Sequence, residues 1–193
     1  MTIVSSFRRA RRRSGESLRT VASRSGVGAS NLSAIENGRR DPTSSTLDRL
    51  ASTIGLEWVP FDAEGRTPAA SAVDEITQAE ADERHAQAYR RFLQLADDLA
   101  SADPVKRVLL SAEPPDESPS RWLDAVAALV ELRLREVSAP VPTWAAQRPG
   151  HPDAIWEPQR SSRPLPWAAD RSQIAAEFLR RGVAIEKGEL LSV

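Results

Sequence analysis

The sequence has no cysteine and only two histidines among its 193 residues. Without cysteine the chain can form no disulfide bond, no thiolate zinc site and no cysteine nucleophile. The histidines, His85 and His151, lie too far apart in the sequence to make a local metal motif, and no glycine-rich phosphate loop occurs. We therefore expect no metal site and no cofactor.

Long apolar runs are also missing. No run approaches the roughly 18 residues that a helix needs to cross a bilayer, and the start of the chain, MTIVSSFRRARRRSG, lacks the apolar region of a secretory signal. We therefore expect a cytoplasmic protein that has no membrane partner.

A catalytic constellation is not evident either. General acid–base chemistry needs several positioned groups, whereas His85 lies in a charged, helical stretch and His151 in a Pro-Gly-His-Pro turn. Both histidines are expected at the surface, and the chain is not expected to be an enzyme.

Neither sign of charge dominates the whole chain, whose formal net charge is −1. This balance conceals a division along the sequence. Residues 1–60 hold ten arginines against five acidic residues, whereas residues 61–193 hold 16 basic against 22 acidic residues. Such asymmetry is typical of proteins in which one segment contacts nucleic acid. The N-terminal segment is thus the candidate for that contact.

Four short helices with distinct end signals are predicted in the first 56 residues. Serine and threonine side chains accept hydrogen bonds from free N–H groups at helix starts, and glycine accommodates the left-handed residue that follows a helix. The predicted helices are FRRARRR (after Ser5 or Ser6, stopping at Ser14-Gly15), LRTVASRS (after Ser17, to Gly26), ASNLSAIEN (after Gly28, to Gly38) and TLDRLASTI (after the cluster 43–46, to Gly55).

Apolar residues recur in these helices at steps of three and four, which predicts one small core. In this setting the run from Leu18 to Gly55 resembles the helix-turn-helix domain of the lambdoid-repressor (XRE) family. The resemblance covers less than a third of the chain, and it implies a lambda-repressor-like fold for residues 1–61. It is carried by the spacing Ala22–Gly26–Val27–Leu32–Ile35, the segment Ile35-Glu36-Asn37-Gly38, Pro42, and Leu47–Leu50-Ala51.

The third helix enters the major groove of DNA in this family. Leu32 and Ile35 are three residues apart and are expected to point inward, which leaves the opposite side of the helix for bases. The residues expected there are all small or polar: Ala29, Ser30, Asn31, Ser33 and Ala34. Asn31 is suited to a two-bond contact with an adenine edge. The alternative is that compositional bias placed small residues on an ordinary helix surface.

Phosphate contacts are expected just after the third helix and at the N-terminus of the second, where backbone amides and arginines can meet the DNA backbone. The residues are Ser17, Arg19, Asn37, Arg39 and Arg40. The family commonly opens the second helix with a glutamine that holds a phosphate, but Leu18 stands at that position. We expect Leu18 to serve in packing, so that at most a backbone amide meets the phosphate there.

Five arginines crowd the first helix. The resemblance implies that one of them, Arg11, forms a buried structural ion pair with Glu36. At least half of the other four are expected to be solvated; these are Arg8, Arg9, Arg12 and Arg13.

The apolar segment 56–61, LEWVPF, permits two interpretations. Some relatives place a strand here that pairs across a dimer, and a dimer would bind a palindromic operator. Alternatively, the segment folds back as a lid over the four-helix core. Pro60 restricts any strand here to an edge or an end.

The rest of the chain is predicted to be mainly helical, which makes the whole protein all-α. Residues 62–74 are small and unpatterned, which predicts a linker, and residues 75–193 form the second domain. Helices are expected over 76–100, over 104–112, from Ser118 or Ser120 through Leu134, and over 170–181. Four of the five tryptophans lie in this domain, either as interface anchors or, as is commoner in helical domains, as core.

A second resemblance concerns this domain. The arrangement RWLDAVAALVELRLREVSAPVPTW, a Trp-rich stretch and FLRRGVAIEKGEL is similar to C-terminal domains of some bacterial helix-turn-helix regulators. Their genes tend to lie beside a nucleotidyltransferase-like toxin gene. The resemblance implies an antitoxin role. Together with the charge division and the Trp- and Pro-rich acidic domain, it favours a homodimeric, autoregulating repressor whose second domain binds a toxin. The alternative is a one-component regulator whose second domain senses a small molecule.

Overall fold

The computed structural model describes residues 3–159 and 168–191. Helices dominate this part of the chain, and its only β pairings are two isolated bridges, so the all-α prediction is confirmed. The residues separate into two compact units, 1–62 and 63–193. We call the second unit the body. Within the described ranges no helix combines the length and the apolar character needed to cross a bilayer.

The N-terminal unit contains helices α1 (Ile3–Arg13), α2 (Leu18–Ser25), α3 (Ala29–Glu36) and α4 (Ser44–Thr53). Ser17 caps α2 by accepting the N–H of Thr20 at 3.0 Å, and Thr43 caps α4 in the same way. The four helices enclose one apolar core, formed by Phe7, Val21, Ala22, Val27, Leu32, Ile35 and Leu50.

One detail of this unit differs from expectation. Helix α1 already includes Ile3, so Ser5 and Ser6 lie within the helix and do not cap it. Burial of Phe7, with Val4 packed beside it, gives the helix a reason to extend toward the N-terminus. The segment 56–61 forms no strand; Trp58 is partly buried against the core, as in the lid interpretation.

The body is built on helices α5 (Ala69–Ala81), α6 (His85–Ser101), α7 (Pro104–Ala112) and α8 (Trp122–Arg135). Helix α8 is central: of its 14 residues only Leu132 and Arg135 are not buried. Helices α5, α6 and α7 all pack against it. Trp122 is 1% exposed and lies beside Phe92 and Trp156, which confirms the core interpretation for this tryptophan. Trp167 lies outside the described residues.

The predicted linker over 62–74 is helical in its second half. Helix α5 begins at Ala69, and residues 69–73 are all buried. Their side chains are small, so they let the helix approach its neighbours closely, but they show little of the polar and apolar alternation that sequence patterns depend on.

The long helix predicted over 76–100 is two helices that form a hairpin. Glu83 adopts the left-handed conformation, with φ of 57°. The N–H of Arg84 then bonds to the carbonyl of Ala79 at 2.8 Å and that of Glu83 to Glu80 at 2.9 Å, which ends α5 in a Schellman motif. The apolar period continues through the turn because both helices face the same core.

The helix predicted over 170–181 is also wrong. A 3₁₀ turn at Arg171–Gln173 is followed by a bridge from Ile174 to Glu186 and by the single-turn helix α10 (Ala176–Leu179). The Glu186 carboxylate accepts the N–H of Asp170 at 2.8 Å, so tertiary bonds replace a helix start there. The short helix α9 (Thr143–Ala146) is the only helix described between α8 and this region.

Candidate nucleic-acid interface

The turn between α2 and α3 fixes the position of the candidate recognition helix. Gly26 has φ of 69°, a left-handed conformation that favours glycine, and buried Val27 follows it. Leu32 and Ile35 then anchor α3 in the core, at 0% and 1% exposure. The other faces of α3 lie away from this anchor and form the candidate DNA surface.

The five residues predicted to face bases lie on that surface to different degrees. Ala29 and Ser30 are exposed, whereas Asn31, Ser33 and Ala34 are partly buried. The Oδ1 atom of Asn31 is buried and has no hydrogen-bond partner among the residues that the structure describes. A two-bond contact with adenine needs both the oxygen and the nitrogen of this amide, so Asn31 would have to rotate to make it.

The five predicted phosphate contacts are all exposed: Ser17, Arg19, Asn37, Arg39 and Arg40. The described structure shows no ion pair for any of these three arginines, so their charges are available to a ligand. Asn37 is partly committed, because its Nδ2 donates to the carbonyl of Ser33 at 2.8 Å. Ser17 is likewise engaged in capping α2. The three arginines are therefore the candidate cations for phosphate contacts.

Arg11 and Glu36 lie together, as the resemblance implies. Nε and Nη2 of Arg11 donate to the two carboxylate oxygens of Glu36 at 2.6 and 2.7 Å, and both residues are buried. These hydrogen bonds raise the pKa of Arg11 above its ordinary value, while burial opposes the rise. The pair joins α1 to the end of α3.

Sequence reasoning missed a further bond of the same guanidinium. Nη1 of Arg11 donates to the carbonyl of Glu16 at 2.8 Å, which ties the loop before α2 into the same contact. Arg24 then links Glu16, at 2.8 Å, to the carbonyl of Thr53 at the end of α4. No motif marks these bonds, because a backbone carbonyl has no signature in the sequence.

The solvated arginines of α1 need one correction. Arg12 and Arg13 are exposed and Arg8 is partly exposed, but Arg9 is fully buried. The guanidinium of Arg9 is enclosed together with its stem, since the whole residue is 0% exposed. Counting charges along a helix does not reveal which arginine faces inward.

Leu18 is partly buried and packs against the core of the N-terminal unit, which is the packing role expected for it. No glutamine side chain is therefore offered at the start of α2. The capped N-terminus of α2 presents its backbone amides instead.

The histidines of the body lie in two different settings. His85 is partly exposed and its Nδ1 lies 3.1 Å from Glu80. The side chain of His151 is 56% exposed, as expected of a surface residue, yet its Nδ1 lies 2.9 Å from the carboxylate of Asp124, which is fully buried. This second contact was not predicted, because the two residues are 27 positions apart.

Comparison with known proteins identifies the N-terminal unit. Residues 5–60 match the model of a helix-turn-helix domain. The sequence is also similar to a protein of Sinorhizobium fredii (strain NBRC 101917 / NGR234) described as the uncharacterized HTH-type transcriptional regulator y4dJ. The two are 44% identical over 55 residues, which are 28% of this chain and 71% of that protein. No solved structure matches the chain. Together with the geometry of α2 and α3, these matches show that the chain belongs to the XRE-type helix-turn-helix family and is a DNA-binding transcriptional regulator.

Proposed function

We propose that the chain is a repressor that binds a palindromic operator in double-stranded DNA as a homodimer. The observation that carries the proposal is the surface of α3, on which small and polar residues are followed by two arginines, Arg39 and Arg40, without ion pairs in the described structure. Dimers of this fold present two recognition helices about 34 Å apart. The half-sites should therefore lie about one helical turn apart.

The base contacts in this proposal come from Ala29, Ser30, Asn31, Ser33 and Ala34. Most of these side chains are short, so the helix can lie deep in the major groove, and an alanine methyl suits contact with a thymine methyl. Ser17, Arg19, Asn37, Arg39 and Arg40 hold phosphates, which position the helix without carrying sequence information.

The test is to select bound sequences from a random DNA pool and then compare two variants. Asn31→Ala should relax the preference at one base position of each half-site, at a cost of about 1–3 kcal/mol in discrimination. Arg39→Ala should weaken binding to all sequences alike. The control is Arg49→Ala, which removes the same charge from an exposed position on α4 outside the proposed contacts. An unchanged preference in Asn31→Ala, or equal losses in the two arginine variants, would contradict this assignment.

For the body we propose an autoregulating antitoxin role, in which residues 63–193 bind a toxin protein. The proposal is supported by the acidic excess of residues 61–193, which complements a basic partner, and by the resemblance of the C-terminal segment to domains of regulators encoded beside toxin genes. On this proposal the chain acts by binding in the cytoplasm, where bacterial DNA is found, and not by catalysis.

Co-expression with the product of the adjacent gene tests the antitoxin role. The two proteins should copurify as a stable complex, and the chain should relieve growth arrest caused by its neighbour. Arg39→Ala provides the control, because it weakens DNA binding and should leave the complex intact. A body that binds no neighbouring gene product would contradict the antitoxin role and would leave the DNA-binding proposal standing.

A further inference from the structure

A cavity of about 480 Å³ opens on the body beside the N-terminal part of α8. Its polar lining comes from the loop before α8, from α9 and from the turn after it: Glu117, Thr143, Gln147, Arg148 and His151, with Asp124 beneath them and Trp144 as an apolar wall. The volume falls in the range of small-ligand sites, about 300–1,000 Å³.

Asp124 holds the cations at the floor of this cavity. Its carboxylate is fully buried and accepts Arg148 Nε at 2.6 Å and His151 Nδ1 at 2.9 Å, both from the cavity lining. It also accepts Arg121 Nε at 3.1 Å from outside the lining. One buried carboxylate is therefore shared by two guanidinium groups, so it only partly neutralises Arg148, and an anion placed beside Arg148 in the cavity would complete the balance.

In the free protein, the carboxylate of Glu117 at the exposed rim of the cavity is the anion that pairs with Arg148. Nη1 of Arg148 lies 3.1 Å from the carboxylate of Glu117, whose side chain is 90% exposed. An ion pair with one partner this exposed contributes little, because water screens its charge. A ligand carboxylate or phosphate can thus replace Glu117 on Arg148 without disturbing the buried bonds to Asp124.

The backbone around His151 is held tightly enough to form a defined site. The N–H of His151 donates to the carbonyl of Arg181 at 3.0 Å. A Cβ atom on Gly150 would lie 2.5 Å from Arg181 Cα, and one on Gly182 would lie 2.0 Å from the His151 carbonyl oxygen. Neither glycine can carry a side chain here, so the two turns pack directly on each other and fix the cavity wall.

We propose that this cavity binds a small organic anion, a carboxylate or a phosphate monoester with an apolar portion. Arg148 anchors the anionic group in place of Glu117, Thr143 and Gln147 offer further hydrogen bonds, and the apolar portion lies against Trp144. None of the contacts described for this cavity requires a toxin partner or DNA.

The test uses the full chain, with phenyl phosphate and benzoate as probes at constant ionic strength. NMR spectra of the imidazole rings report binding, because the chain has only two histidines and His85 lies outside the cavity. Either probe should shift the His151 ring resonances in a saturable manner and leave those of His85 in place, and the stronger probe identifies the preferred anionic group. Failure of both probes, or equal shifts of both histidines, would overturn the proposal.

The variant that tests the mechanism is Glu117→Gln. It removes the competing carboxylate, so the probe that binds should bind about two- to five-fold more tightly, which corresponds to the contribution of an exposed ion pair. The matched control is Asp153→Asn, which removes a negative charge from an exposed residue near His151 that does not line the cavity. Equal gains in the two variants would show general electrostatic attraction and overturn the site.

Arg148→Gln should abolish probe binding. Because this change also withdraws a partner from buried Asp124, thermal unfolding of the variant is measured alongside. If the variant is folded and still binds the probe, Arg148 is not the anchor. If it does not fold, the comparison of Glu117→Gln with Asp153→Asn decides whether the cavity binds the anion. Both of these residues are exposed and neither supports the core.

Discussion

At the scale of single residues, Arg11 joins three parts of the DNA-binding unit. Its guanidinium donates to both oxygens of Glu36 and to the carbonyl of Glu16, so one side chain from α1 holds the end of α3 and the loop before α2. Loss of Glu36 would leave a buried cation without its counter-ion, which is far more costly than loss of an exposed pair. The orientation of the candidate recognition helix depends on this contact.

Glu36→Ala should therefore lower the free energy of opening of the N-terminal unit by about 3–5 kcal/mol. Hydrogen exchange of amides in residues 18–38 measures this locally, without requiring the whole chain to unfold in one step. Glu16→Ala is the control: its carboxylate pairs with Arg24 at 2.8 Å, but the side chain of Arg24 is 53% exposed, so the cost should stay below about 1 kcal/mol. Similar losses in the two variants would show that burial does not strengthen the Glu36 pair.

Some residue-scale features were predictable and others were not. The pairing of Arg11 with Glu36 follows from family resemblance, since both positions belong to a recognisable pattern. The burial of Arg9 and the contact of His151 with Asp124 carry no such pattern. Each depends on which segments meet in space, and a single sequence does not contain that information.

At the scale of elements, helix ends marked by capping side chains were predicted well. Helix α2 lies between Ser17 and Gly26, and α4 begins after Thr43, as the sequence predicts. These ends are predictable because a capping residue acts on its own helix through local bonds. The helices of the body were predicted less well. Helix α5 begins in a stretch of small residues, and its end at Glu83 lacks the glycine that usually marks such a turn.

The turn between α5 and α6 offers a test in which two glycine substitutions have opposite effects. Glu83→Gly should stabilise the body by up to about 1 kcal/mol, because relief of the left-handed conformation, about 1–2 kcal/mol, exceeds the entropy cost of glycine, about 0.5–1 kcal/mol. Ala81→Gly, two residues earlier within α5, should destabilise it by about 1 kcal/mol. Thermal unfolding should show Tm shifts of a few degrees in opposite directions. A fall in Tm for both variants would contradict the hairpin turn.

At the scale of the whole molecule, the N-terminal segment carries a basic excess and the body an acidic excess. Arg19, Arg39 and Arg40 of the N-terminal unit are exposed on the candidate DNA surface. Several arginines of the body are used internally: Arg181 is fully buried, and it donates to buried Glu131 at 2.7 Å. The acidic excess of residues 61–193 is repelled by DNA. A near-neutral chain therefore behaves as a basic DNA ligand joined to an acidic body.

The salt dependence of operator binding should report how many arginines contact DNA phosphates. Three arginines per protomer, Arg19, Arg39 and Arg40, give about six phosphate contacts in a dimer, so log K should fall with log salt with a slope of about −5. A bound monomer would give about −3. In the dimer, Arg39→Ala should reduce the slope by about 2, and Asn31→Ala should leave it unchanged. Fluorescence anisotropy at several salt concentrations measures each slope, and a slope near zero would contradict the proposed surface.

The fold also has a consequence for synthesis of the chain. The N-terminal unit is complete within residues 1–62, whereas closing the body requires contacts such as that between Tyr89 and Glu189, which are 100 positions apart. Domains fold as units during translation, at about 5–20 residues per second. The DNA-binding unit therefore emerges about 6–25 s before the residues that close the body. For that interval each nascent chain carries a folded DNA-binding unit and an open body, so residues 1–62 can contact DNA before residues 63–193 acquire any activity.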